Sequence, residues 1–135
     1  MADIVDRGTR SRMMAGIRGK DTKPELLVRK FLHRAGLRFG LHASLPGRPD
    51  LVLPKYDVVI FVHGCFWHRH RGCRFATVPK TNPKFWHEKF EANIARDRKA
   101  IRQLRSLGWR VIVVWSCKLE EAHLQKLVDD IKGVN

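Results

Sequence analysis

The chain has 135 residues, 44% of them hydrophobic, which is enough for one ordinary core and too few for two. Lysine and arginine total 27 against 13 acidic residues, a formal net charge of +14 spread from Arg7 to Lys132, so the folded domain itself attracts polyanions, nucleic acid first among them. No apolar run nears the roughly 20 residues of a membrane helix, residues 1–7 carry charges where a secretory segment is apolar, and three cysteines are an odd number for a disulfide framework, all of which fits a cytoplasmic protein without a membrane partner.

Residues 1–20 are polar and basic, with a short apolar patch at Met13, Met14 and Ile17, and are expected to form an N-terminal arm. Residues 21–135 are expected to form a single domain. Thr22-Lys-Pro-Glu25 has the form of a capping box, which predicts a helix from Thr22 to Ala35 that stops at Gly36. Glu25 lines up with Val28, Leu32 and Ala35, yet capping is its favoured role on sequence alone. A short strand is predicted over 37–41, a stiff turn over 46–49 and a strand over 50–53 that Pro54 breaks. The apolar run 56–62 predicts a buried strand. Antiparallel pairing of these two strands brings Asp50 near Val62 and His63. Residues 63–80 have no helical or strand period and form a functional loop. Asn82-Pro83 opens a long helix ending near Gly108. A strand over 110–115 and a helix over 119–131 follow, the helix presenting Leu124, Leu127, Val128 and Ile131. The predicted class is α/β, a small mixed sheet flanked by helices.

The loop carries Cys65, His70 and Cys73, with four and two residues between them. Thiolates and imidazole at that spacing can wrap a tetrahedral zinc ion, and Cys117, just past a core strand, can supply a fourth ligand. His68 can replace His70 on spacing alone. Asp50 stands at the mouth of a strand, where a carboxylate beside a backbone carbonyl suits a hard Mg²⁺ ion that activates water and neutralises phosphate charge. Asp97 falls in the middle of the stripe Phe90, Ile94, Asp97, Ile101, Leu104 and so needs a partner. Its neighbours Arg96 and Arg98 are one choice, and a histidine or the hydrated metal of the site is the other. His63 and His68 flank Cys65, Phe66 and Trp67, and a loop histidine can take a proton from water. Phe66 and Trp67, with Phe85 and Trp86, are large aromatics near polar residues, suited to packing or to wedging open a base step.

Pro-Gly-Arg-Pro-Asp (46–50), His-Gly-Cys-Phe-Trp-His (63–68), Phe-Trp-x-x-Lys-Phe (85–90) and Arg-Asp-Arg (96–98) together resemble the very-short-patch-repair (Vsr) DNA mismatch endonucleases. Gly-Trp-Arg-Val (108–111) and Val-Trp-x-Cys (114–117) continue the likeness. The resemblance implies a restriction-endonuclease-like fold and a nick 5′ of the thymine in a T:G mismatch, where 5-methylcytosine has deaminated. It implies Mg²⁺ on Asp50 and the backbone carbonyl of Val62, with Glu25, His63 and Asp97 around the hydrated ion or the phosphate. It further implies His68 as general base and structural Zn²⁺ on Cys65, His70, Cys73 and Cys117. Phe66, Trp67 and Trp86 would form the aromatic wedge, and the arm would grip double-stranded DNA. The expected state is a monomer, and whether other mismatch-repair proteins act with it stays open. Related nucleases usually place an acid-x-Lys triplet where this chain has Phe61-Val62-His63, a departure that the Vsr family shares. Two rivals remain: a zinc-stabilised DNA-binding module without catalysis, and a restriction-type nuclease for matched DNA.

Overall fold

Thr22 caps helix α1 (Lys23–Arg34), its side-chain oxygen accepting the Glu25 N–H at 3.4 Å, with proline in the first turn. The computed structural model describes residues 22–133, and the expected arm over 1–20 lies outside them. Gly36 ends α1 at φ 82°, and the N–H of Leu37 returns to the carbonyl of Leu32 at 3.0 Å. That closure buries Leu37 in the core, so the strand expected over 37–41 shrinks to β1 (Gly40–Leu41).

Strand β2 (Leu51–Leu53) runs antiparallel to β3 (Val58–His63), with Leu51 opposite Ile60 and Leu53 opposite Val58. β3 begins later than expected because Pro54–Tyr56 form a 3₁₀ turn and Asp57 reverses the chain at φ 55°. Helix α2 (Pro83–Ser106) then crosses back to β4 (Arg110–Trp115), which is parallel to β3 and sets His63 opposite Trp115. Helix α3 (Glu121–Lys132) follows. The sheet has the order β1-β2-β3-β4 and mixes antiparallel with parallel pairing, as the α/β reading expects.

Strand alternation divides the interior. Val58, Ile60 and Val114 pack with Val28 and Leu32 of α1 and with Leu124, Leu127, Val128 and Ile131 of α3. Val59 and Phe61 pack on the opposite face with Leu104 of α2. Each fully buried Leu or Ile in these layers stabilises the fold by about 1.5–3 kcal/mol. Within the predicted stripe of α2, Phe90 and Leu104 are buried, Ile94, Asp97 and Ile101 are half-buried, and Ala100 is buried as well.

Ala100 is buried because the turn over 46–49 rests on it. Gly47 has φ 75°, and a Cβ there would stand 2.6 Å from the Ala100 Cβ and 3.2 Å from the Phe61 ring. Only glycine allows both that backbone and that approach. The turn therefore docks on α2 and aims the next residues, buried Pro49 and then Asp50, along the end of β3.

Candidate active site and metal centres

The described residues hold three groups of His, Cys, Asp and Glu whose ligand atoms lie within 4.8 Å of one another. All three gather around the C-terminal end of β3.

The first group is Glu25, His42 and Asp50. The Val62 N–H donates to Asp50 Oδ2 at 2.7 Å, so the predicted approach of Asp50 to β3 occurs through that bond. Burial pushes the Asp50 carboxyl up to about 6. The Val62 N–H opposes this, and the neighbouring Glu25 adds to it. Glu25 is buried, with 1% exposure, and its carboxylate meets the Arg29 guanidinium one turn along α1 and His42 Nε2 at 3.1 Å. Its backbone N–H completes half of the capping box while its side chain faces the sheet end. His42 had no signal in the sequence. It sits at φ 47°, and its N–H donates to the Asp50 carbonyl at 3.2 Å.

The second group is His63, His68 and Asp97. His68 Nδ1 lies 2.6 Å from Asp97 Oδ2. Of the two partners foreseen for Asp97, the histidine is the one in contact, and Arg96 turns instead to Asn93 at 2.9 Å. The rings of His63 and His68 stack with centroids 3.8 Å apart and 3° between planes. Burial foremost, and then His68 beside it, lower His63 to about 4, so it is neutral at physiological pH. Val62 packs toward α1 and α3, whereas His63 meets Phe61 on the α2 side. Consecutive residues of β3 thus serve the two groups. His63, His68 and Asp97 line an open groove of about 630 Å³, together with Arg71, Arg98 and Trp115.

The third group is Cys65, His70, Cys73 and Cys117. His70 Nδ1 is 3.6 Å from Cys65 Sγ and 3.3 Å from Cys117 Sγ, so His70 stands with the thiols and His68 does not. Burial, and then the Cys65 and Cys73 thiols, push Cys117 up to about 11, while the Phe75 backbone N–H leads the causes that lower Cys73. Three thiols this close cannot all ionise without a cation, and a Cys₃His set is a fitting tetrahedral donor set. The cluster extends the β3–β4 ladder. Ser116 N–H donates to the His63 carbonyl at 3.0 Å, and Cys65 N–H donates to Ser116 Oγ at 3.3 Å.

Phe66, Trp67 and Trp86 are half-buried and form one aromatic cluster with Phe90, their closest ring pair 5.1 Å apart. Phe85 packs on Trp86 and stays exposed. Two residues that sequence reasoning missed hold the cluster. Arg69 lies 3.9 Å over the Phe90 ring and donates to the carbonyls of Phe66, Ala76 and Thr77. Asn93 donates to the Trp67 carbonyl at 3.1 Å. Neither has a periodic signature, because each binds backbone carbonyls that only the folded loop presents.

The family described as DNA mismatch endonuclease Vsr matches residues 2–74, over half of the chain. The chain is 47% identical to the DNA mismatch endonuclease Vsr of Escherichia coli, over 96% of this chain and 82% of that protein. It is 46% identical to the type II nicking enzyme V.XorIIP of Xanthomonas oryzae, over 96% of this chain and 98% of that protein. It is 44% identical to the type II nicking enzyme V.NmeAIP of Neisseria meningitidis, over 98% of each. With its motifs gathered at one sheet end and this likeness along nearly all of its length, the chain belongs to the DNA mismatch endonuclease Vsr family.

Proposed function

We propose that the protein nicks one strand of double-stranded DNA 5′ of the thymine in a T:G mismatch, by Mg²⁺-dependent phosphodiester hydrolysis. The observation that carries this reading is the 2.6 Å contact of His68 with Asp97, in a basic groove beside the strand end where Asp50 is anchored. A DNA-binding module without chemistry has no use for a histidine oriented by a carboxylate.

His68 is the general base. Asp97 holds Nδ1, which leaves Nε2 to take a proton from the attacking water. As that proton arrives, the Asp97 carboxylate stabilises the imidazolium. His63 stacks on the ring and stays neutral, so it adds no opposing charge. Arg71 and Arg98, which line the same groove, pair with backbone phosphates. Asp50, the Val62 carbonyl and Glu25 are the residues to hold Mg²⁺, since buried oxygen donors suit a hard cation. That ion, when bound, supplies charge neutralisation at the phosphate and acidity for the leaving 3′ oxygen.

Cys65, His70, Cys73 and Cys117 hold structural Zn²⁺ and order a loop with little core of its own. Phe66, Trp67 and Trp86 are the wedge beside the mismatch, and residues 1–20 are the DNA-contacting arm of a domain spanning 21–135. The mixed sheet, with an aspartate at one strand end and a helix carboxylate beside it, supports a restriction-endonuclease-like fold. We take the protein to act as a cytoplasmic monomer.

Cleavage of T:G and T:A duplexes side by side, with and without Mg²⁺, tests the proposal. Nicking confined to the T:G duplex with Mg²⁺ is expected. Equal cutting of both duplexes points to a nuclease for matched DNA, and binding without cutting refutes catalysis.

A further inference from the structure

We infer that His42 is a nitrogen ligand in the cation site of Glu25 and Asp50, which tunes that site toward Mn²⁺ over Mg²⁺. The inference rests on the reading of Asp50 as a cation ligand and adds a residue to it.

Three observations carry it. First, one imidazole nitrogen and two carboxylates lie within 4.8 Å of one another, close enough to share an ion. Second, the His42 ring is placed by the backbone. The residue takes φ 47°, a left-handed conformation that most side chains avoid, and its N–H is tied to the Asp50 carbonyl at 3.2 Å. Ligand and ligand-bearing backbone therefore move together. Third, a positive charge already belongs there. The Arg29 guanidinium meets Glu25 and stands 3.1 Å from His42 Nε2. A divalent ion bound by the three side chains takes over that position, and Arg29 swings aside along α1.

The chemistry follows from the donors. Mg²⁺ favours an all-oxygen octahedron and gains little from imidazole. Mn²⁺ stands lowest of the first-row divalent ions in affinity for nitrogen donors, yet it accepts an imidazole beside carboxylates more readily than Mg²⁺ does. A site of Asp50 and Glu25 alone discriminates weakly between the two ions. With His42 added, it favours Mn²⁺.

The test uses the full chain with its zinc bound. His42→Asn suits it, because asparagine tolerates the left-handed backbone and offers oxygen in place of the ring nitrogen. Mn²⁺ binding is followed by electron paramagnetic resonance, with pulsed detection of nitrogen coupling, and Mg²⁺ binding by calorimetry. Wild type is expected to show nitrogen coupling to Mn²⁺. The variant is expected to lose that coupling and to bind Mn²⁺ about tenfold more weakly, with Mg²⁺ affinity changed by less than about threefold. Equal losses for both ions mean that His42 only positions Glu25, and they overturn the inference. An unchanged Mn²⁺ affinity, or no nitrogen coupling in wild type, overturns it too. Asp50→Asn separates the two levels. If Mn²⁺ binding survives that change, the cation-site reading itself falls. If it is lost while His42→Asn is silent, only the role of His42 falls.

Discussion

Asp50 is predicted to destabilise the protein that it serves. Burial holds its carboxyl near 6 rather than 3.8, which costs the folded state about 3 kcal/mol at neutral pH when no cation is bound. The sign follows from proton binding. Between 3.8 and 6 the folded chain holds the proton that the unfolded chain has lost, so stability falls as pH rises through that window and then levels. Asp50→Asn removes the titration and keeps an acceptor for the Val62 N–H. Urea unfolding of zinc-loaded protein in buffer free of Mg²⁺ measures the difference. The variant should be more stable by about 3 kcal/mol at pH 7 and by roughly half as much at pH 5. His63 acts oppositely. Its lowered value, about 4, makes stability rise with pH up to its ordinary 6.5, and both proteins share that contribution. Wild type should therefore vary little with pH across this range, while the variant gains stability. Mg²⁺ at a hundred times its Kd should return about 2.7 kcal/mol to wild type alone. A variant no more stable than wild type at pH 7, or a gap that does not widen from pH 5 to pH 7, refutes the reasoning.

Removal of the His68 ring by His68→Ala should slow nicking by roughly 10²–10⁴-fold in single-turnover assays. Asp97→Asn should also slow it, and the double variant should be little worse than His68→Ala alone, because the two side chains act as a unit. Cys73→Ser should lower bound zinc well below one ion per chain by elemental analysis and lower the unfolding temperature; full zinc occupancy would remove Cys73 from the ligand set. Gly47→Ala should cost about 2–4 kcal/mol in urea unfolding, from a strained backbone and overpacking against Ala100.

Helix α3 was fully legible in the sequence, since Leu124, Leu127, Val128 and Ile131 are all buried as their spacing predicts. So was the approach of Asp50 to Val62, because strand pairing across a short turn leaves little choice of register. Strand 37–41 was less so. Apolar alternation does not reveal that Leu37 is claimed by the end of α1. The choice between His68 and His70 was out of reach of spacing, since both lie on one loop and differ only in which way the turns aim them. Glu25 had two roles open to it, and its partners Arg29 and His42 come from different segments, one of them a lone histidine in a left-handed bend. Gly47 and Arg69 act through shape, and shape exists only once α2 and the loop are packed.

Helix α2 has the character of a connecting rod. Its first turns carry Trp86 and Phe90, its middle carries Asp97, and Ala100, less than a turn further on, supports the Gly47 bend that leads to Asp50. Trp86 and Asp97 are roughly 16 Å apart along such a rod. Asp50 itself is pinned to β3 by the Val62 N–H, so the rod does not carry it. The two carboxylates are thus placed by different parts of the fold, Asp97 by the helix that also bears the aromatics and Asp50 by the end of the sheet.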